Sequence, residues 1–180
     1  MFKLAIIGGG NMGEALVAGL LADGTATPAG LWVTDVAADR LAALRQRYAI
    51  RTGSDNGEAA SWASVIILAV KPQVMDQILD ELKDRLSEQT LIISIAAGIP
   101  LSRIAARLGG TRKLVRVMPN TPCLIRAGAS AVAAAPSVSS EERAQAVRLF
   151  EALGKVVVVE ERLMDAVTGL SGSGPAYVFQ

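Results

Sequence analysis

The residue types best suited to chemistry stand close to the start of the chain. Gly8-Gly9-Gly10-Asn11-Met12-Gly13 follows a short apolar run and leads into Ala15, Leu16, Leu20 and Leu21 at helical spacing. In that setting each glycine has a physical use: Gly8 permits a tight turn, Gly10 lets the backbone approach a phosphate, and Gly13 lets a helix pack closely on a strand. An anion would then rest on the unpaired amides of the helix N-terminus, where the dipole favours negative charge. Asp35 ends the next apolar run, about 20 residues beyond the last glycine, where a carboxylate can accept from a ribose 2′-hydroxyl.

This arrangement predicts a dinucleotide, NADPH or NADH. Asp35 repels a 2′-phosphate and leans toward NADH, while Arg40, about one turn further on, would tolerate NADPH. The plainer alternative is a glycine-rich strand–helix connection that binds no nucleotide, with Asp35 merely capping.

Other chemistries are poorly served. The chain has no histidine and one cysteine, Cys123, so no internal disulfide, clustered thiolate site or imidazole acid–base is available, and no metal is expected. Cys123 is expected to be inert, since no positive group or base is evident to lower its pKa. Eighteen basic and 17 acidic residues give a net charge of +1, which argues against a nucleic-acid partner. The opening apolar run breaks into glycines too early for a signal peptide, and no segment approaches the roughly 20 apolar residues that span a bilayer. Small-molecule substrates, no membrane and a cytoplasmic location are expected.

The elements that must position these residues follow from periodicity. With 51% hydrophobic residues, the 180-residue chain can bury a full core. Short apolar runs at residues 3–7, 31–34, 65–70, 91–94, 114–117 and 156–159 read as strands. They alternate with helix-period stretches at 14–22, 38–48, 74–86 and 101–108, and this predicts βαβ units. Residues 128–135 form a further, alanine-rich strand candidate. Ser139-Ser140-Glu141-Glu142 starts a helix through Leu153, with Gly154 as its stop. Glu160-Glu161-Arg162 reads as a solvated helix start. Residues 170–180 read as a loop and a first helical turn, with Pro175 at its N1 position. The expected fold is α/β: a Rossmann-type, doubly wound, mostly parallel sheet with helices on both faces. Residues 1–160 would form the dinucleotide-binding domain, and 161–180 would begin a helical domain that continues beyond this chain.

Three further segments combine rigid or exposed backbone with polar side chains: Ala69-Val70-Lys71-Pro72-Gln73, Val117-Met118-Pro119-Asn120-Thr121-Pro122 and Ser171-Gly172-Ser173-Gly174-Pro175. The first two fall at strand ends, where open parallel sheets bind ligands. Together with Leu163-Met164-Asp165-Ala166-Val167-Thr168-Gly169-Leu170, these segments closely resemble pyrroline-5-carboxylate reductase, and the resemblance runs over the whole chain.

That resemblance implies reduction of 1-pyrroline-5-carboxylate to L-proline by hydride from NAD(P)H. It implies pyrophosphate contacts from Gly8 to Met12, ribose contacts from Asp35, and cofactor contacts from Asn56, Ala69, Val70, Lys71 and Pro72. Ser94-Ile95-Ala96-Ala97-Gly98 would line the nicotinamide side, with Ala96 near the cofactor and Ala97 nearest the substrate. Asn120, Ser171 and Ser173 are further substrate-side candidates. The family's helical domain builds the dimer and grips the substrate, so a homo-oligomer is implied and the main substrate-binding residues are expected beyond Gln180.

A protonated imine is already electrophilic, so cofactor placement can supply most of the catalysis and a chain without histidine suffices. Lys71 could act on the cofactor or the substrate carboxylate, although a strand-end lysine is more often a solvated charge. Asn120 either orients a ligand or satisfies a turn. Ser171 and Ser173 are better read as caps. Two other functions fit the cofactor turn: a related 3-hydroxy acid-type dehydrogenase, and a non-catalytic dinucleotide-binding module.

Overall fold

The structure is a computed structural model and describes residues 2–174. Its centre is an eight-stranded sheet in the order β3-β2-β1-β4-β5-β6-β7-β8. The strands are β1 Leu4–Ile7, β2 Leu31–Thr34, β3 Arg51–Gly53, β4 Val65–Leu68, β5 Leu91–Ser94, β6 Lys113–Met118, β7 Gly128–Ala134 and β8 Gly154–Val158. Neighbours run parallel except β6 and β7, which pair antiparallel. The chain builds outward from β1 to β3, then crosses back to place β4 on the other side of β1. That reversal opens a crevice beyond the carboxyl ends of β1 and β4, the usual ligand position in such sheets.

Every residue of β1, β2, β4 and β5 is buried. Continuous apolar runs result because helices cover both faces of the sheet. On one face α1 (Asn11–Ala22), α2 (Ala38–Tyr48) and α6 (Ser140–Glu151) bring Leu16, Leu44 and Phe150 onto Ile6, Ile67 and Val115. On the other, α3 (Asn56–Trp62), α4 (Met75–Leu82) and α5 (Leu101–Leu108) bring Ala59, Leu79 and Ile104 onto Ile7, Ile66 and Ile92. Among the described residues, no helix is long and apolar enough to cross a membrane.

Several elements differ from the sequence expectations. Strand β3 and helix α3 carry no clear periodic signal: β3 is a short edge strand whose Arg51 guanidinium stacks 3.2 Å over the Trp32 ring, and α3 buries little beyond two alanines. Helix α4 is shorter than residues 74–86: Pro72 starts a separate 3₁₀ turn, Pro72–Val74, and the helix ends at Leu82 in a turn over residues 83–85. Gly154 does not stop α6. It opens β8 at φ +142°, where a side chain would strike the Gly128 backbone.

The segment near 170 is not a loop either. Helix α7 (Met164–Val167) continues into a π turn, Thr168–Gly172. Thr168 and Ser171 donate their hydroxyls to the carbonyls of Met164 (2.8 Å) and Val167 (3.1 Å), which keeps the turn closed. Glu160-Glu161-Arg162 does start a helical stretch, the 3₁₀ turn Glu161–Leu163, with Glu160 and Arg162 in solvent, but the Glu161 carboxylate accepts from the Leu101 amide at 2.6 Å and so serves α5. Buried Arg116 adds a second tie from β6, with Nη2 3.1 Å from Asp165 and Nη1 3.8 Å from Glu161. The helical turn expected at Pro175, the apolar stretch 176–179 and Gln180, beyond which the substrate grip is expected, all lie outside the described residues.

The expected start of α6 is borne out by a reciprocal capping box. Glu142 N–H donates to Ser139 Oγ (3.2 Å), and Ser139 N–H donates to Glu142 Oε2 (2.9 Å). Ser139→Ala is expected to cost about 1 kcal/mol in denaturant unfolding. Hydrogen bonding from Lys113 and the Ser139 amide holds the Glu142 carboxyl below its usual value near 4.5. A depressed folded pKa stabilises above the unfolded value, and that contribution is lost as the pH falls through the folded one. The stability gap between the wild-type chain and Glu142→Gln is therefore expected to be full at neutral pH and to close under acid, as read by urea unfolding at several pH values.

Candidate functional site

Strand β1 delivers Gly8 at φ +107°, with its amide donating to the Thr34 carbonyl at 2.8 Å. A Cβ there would stand 2.5 Å from the Ala69 carbonyl oxygen, so only glycine fits. At Gly13 a side chain would collide with the Gly8 carbonyl. Glycine is what allows α1 to settle directly on the strand end. Gly10 is different, because its φ is −66° and nothing stands within 4 Å of where a Cβ would be. The fold itself makes no demand for glycine at that position. The space is a cradle at the N-terminus of α1, open to an approaching anion.

Asp35 fixes the turn from the second strand. Its Oδ2 accepts from the Gly9 amide at 2.7 Å, and its Oδ1 from the Ala37 amide at 2.9 Å. Arg40 in the first turn of α2 holds the other side, donating from Nε to the Gly9 carbonyl (2.5 Å) and from Nη2 to the Gly10 carbonyl (3.3 Å). Glu14 in turn pairs with Arg40, lies 3.0 Å from Arg47 Nη1, and accepts from the Tyr48 hydroxyl at 3.0 Å. Partial burial pushes the Glu14 pKa up, but the hydrogen bonds from Tyr48 and Arg40 and the two guanidinium charges outweigh it and hold the carboxyl below its usual range. Burial and the same carboxylate raise the Tyr48 phenol.

A continuous cleft runs along the strand ends in three connected parts. The first, of about 470 Å³, lies between Gly8, Asp35, Asn56 and Ile78. It passes Gly10, Ala69, Val70 and Lys71 into a second part of about 320 Å³, bounded by Ile95 and Pro119. Asn11, Met12 and Pro119 lead on to a third, of about 270 Å³, which reaches Asn120, Leu124 and Gly172. The three sequence segments singled out above thus contribute to one groove that starts at the glycine turn.

Individual residues are placed as follows. Asn56 accepts from buried Thr34 Oγ1 (2.6 Å) and donates to Glu81 (2.8 Å), which fixes its carboxamide in the cleft wall. Lys71 is exposed and borders the first two parts. Pro72 begins the 3₁₀ turn that carries Val74 to the cleft. Gly9 faces Leu44 and Val33, on the side away from Ala69. Ala96 is 4% exposed and packs in the core, while its neighbour Ile95 lines the groove and Ala97 is half-buried.

Asn120 Oδ1 accepts from the Ala129 amide at 2.9 Å, so the residue both borders the third part and ties down the start of β7. Ser171 is spent on its own helix through Val167, and the Ser173 amide donates to the Thr168 carbonyl at 2.8 Å. Buried Cys123 lies 3.9 Å from Ser130 Oγ.

Sequence reasoning missed Val36 and Val74, and in the last singled-out segment it took Ser171 and Ser173 rather than Gly172 as the ligand-side candidates. Val36 is 98% exposed and Val74 41%, both at the wide end of the cleft. Their signal was an apolar side chain immediately after Asp35 and another after the Lys-Pro step. Gly172 borders the far end, where a side chain would press on Met118 Cε.

Residues 3–98 match the family model described as NADP oxidoreductase coenzyme F420-dependent. A pyrroline-5-carboxylate reductase of Corynebacterium melassecola is 41% identical over 182 residues, covering 99% of this chain and 67% of that protein. Among solved structures, a pyrroline-5-carboxylate reductase from Coxiella burnetii superposes with a TM-score of 0.94 at 39% identity, over 99% of this chain and 66% of that one. Plasmodium falciparum pyrroline carboxylate reductase, solved with NADP bound, gives 0.88 at 31% identity, over 99% and 65%. The chain spans 66% of the length of the first curated relatives it matches. The agreement covers the glycine turn, the strand-end segments and the sheet that joins them, and the chain belongs to the pyrroline-5-carboxylate reductase family.

Proposed function

We propose that this chain binds NAD(P)H along the cleft and serves the reduction of 1-pyrroline-5-carboxylate to L-proline. The observation that carries the reading is the groove from Asp35 past Gly10 to Asn120 and Gly172, lined midway by the apolar side chains of Ile95 and Pro119. The open space at Gly10 and the amides of α1 suit a pyrophosphate. Asp35 and Asn56 suit an adenosine ribose, and Val36 and Val74 offer apolar surface for a flat base.

Bound NAD(P)H supplies a hydride. The chain's part is to hold the donor and the imine in register and to set the apolar side chains of Ile95 and Pro119 against the middle of the groove. Hydride adds to the carbon of the C=N bond while the nitrogen keeps the proton it already carries, so two electrons and one hydrogen are transferred and no side chain need supply a proton to oxygen. That accords with a chain that has no histidine. Lys71, at the junction of two parts of the cleft, is placed to attract a carboxylate or phosphate.

Asp35 supports a preference for NADH, because its carboxylate stands where a 2′-phosphate would be repelled. Residues 1–160 serve as the dinucleotide-binding domain in this reading, and residue 161 opens the helical part that borders the far end of the groove at Gly172. Self-association is supported by the exposed apolar side chains of Val157, Val158, Leu163 and Leu170. A cytoplasmic location is supported by the single, unpaired Cys123.

Two measurements test the reading. First, Gly10→Ala should lower the unfolding midpoint only by the modest cost of alanine at an N-cap yet weaken NADH binding at least about tenfold, since its methyl group meets no protein atom but fills the phosphate cradle. Equal affinity in the variant and the wild type would remove the pyrophosphate assignment. Second, the matching two thirds of the Corynebacterium melassecola enzyme can be replaced by this chain. The chimera should oxidise NADH with pyrroline-5-carboxylate and not with 3-hydroxy acids. Turnover with a hydroxy acid alone would select the dehydrogenase reading, and binding without any turnover the non-catalytic one.

A further inference from the structure

We propose that Arg40 is a positioning residue that holds the phosphate-binding turn from behind, and that Glu14 sets coenzyme selectivity by keeping Arg40 there, away from a 2′-phosphate. The inference rests on the dinucleotide reading of the cleft and adds to it what becomes of the guanidinium that follows Asp35 by about one turn.

The geometry is specific. In a trans peptide the carbonyl and the following amide point in opposite directions. Arg40 Nε takes the Gly9 carbonyl, and Nη2 adds a longer bond to the Gly10 carbonyl, which also accepts from the Glu14 amide at 2.9 Å as the first bond of α1, so the amides of Gly10 and Asn11 are turned to the opposite side of the turn. The Gly9 amide is taken by Asp35. Both ends of the Gly9 residue are thus held by side chains, Asp35 from the β2–α2 connection and Arg40 from the first turn of α2. The guanidinium sits behind two peptide dipoles whose positive ends face away from it, which orients them toward an anion without reorganisation on binding.

Glu14 makes this arrangement durable. It projects from the first turn of α1, its side chain is only 21% exposed, and Arg40, Arg47 and Tyr48 converge on its two oxygens. Arg47 and Tyr48 come from the last turn of α2, so one carboxylate joins the two ends of that helix to the cofactor helix. To grip a 2′-phosphate with its Nε–Nη2 edge, Arg40 would have to give up the Gly9 and Gly10 carbonyls and the Glu14 ion pair together. Sequence spacing alone assigns Arg40 to the phosphate, whereas the structure commits it to the turn.

The test uses the chain itself, with NADH and NADPH titrated by nucleotide fluorescence and folding checked by thermal unfolding. Arg40→Ala should weaken both nucleotides by about tenfold, leaving the ratio of their dissociation constants unchanged. Arg40→Lys, which retains one donor for the Gly9 carbonyl, should recover part of the loss for both. Glu14→Gln should free Arg40 and shift the ratio about threefold toward NADPH, a change that loss of stability alone would not produce. The proposal is overturned if Arg40→Ala weakens NADPH while NADH is untouched, since Arg40 would then be the phosphate receptor. It is equally overturned if Glu14→Gln leaves the ratio unmoved. A wild-type chain that binds neither nucleotide would instead bring down the cofactor reading itself, and the clamp with it.

Discussion

Helix α1 can bring its N-terminal amides to the crevice only because Gly13 lets it lie against the Gly8 carbonyl, and Gly8 in turn can lie under the Ala69 carbonyl only because it lacks a side chain. This chain of close backbone contacts links β1, α1 and the end of β4. Everything else at the site is arranged around it. Asp35 and Arg40 act on the turn that the contacts create, and the groove begins where Gly10 leaves space. A methyl group at Gly8 or Gly13 would have to move main chain, which a packed parallel sheet resists. A methyl at Gly10 would move nothing in the protein, so the three glycines divide cleanly between building the turn and leaving room for a ligand.

The parts of the fold that were legible in the sequence are those fixed by local rules. Strands β1, β2, β4 and β5 are buried along their whole length and so appear as unbroken apolar runs. The cap of α6 is a four-residue pattern that the structure reproduces atom by atom. Strand β3 was illegible because it is a three-residue edge strand, and helix α3 because it is short and the face it lays on β1 and β2 is made of small alanines. Even so, Asp55 three residues before Glu58 was a capping signal, now seen as an amide hydrogen bond of 2.8 Å. Gly154 misleads because a glycine after a helix looks like a stop, whereas the reason for it lies 26 residues away at Gly128.

The site shows the same division. The glycine turn and Asp35 follow from spacing, since both act through backbone geometry that repeats wherever a strand enters such a helix. Arg40 was visible as a cation near the ribose, but its partners are 30 and 31 residues earlier at Gly10 and Gly9, together with Glu14, and no local pattern reveals them. Val36 illustrates a different limit. An isolated exposed valine carries no meaning in a sequence. It acquires one only when the fold sets it on the rim of a cavity beside Asp35.

The two ends of the groove are held by unlike forces. The end near Asp35 is fixed by main-chain contacts and by charged hydrogen bonds from three elements. The end near Gly172 depends on a short helix that reaches the sheet through one buried side chain, Met164, resting on Ala131 and Ala133. The small residues that made β7 a poor strand candidate are what let that helix come close. Arg116 supplies the remaining tie, and it is an uneven one: its own side chain is 5% exposed while its partner Asp165 is 85% exposed, so solvent screens one side of the pair. Glu161 steadies it by accepting from the Leu101 amide, which couples the start of α5 to the same segment. A ligand held at the Gly10 end would therefore meet main chain fixed by buried contacts behind its phosphates, and at the far end a wall tied to the sheet by fewer and more solvent-screened contacts.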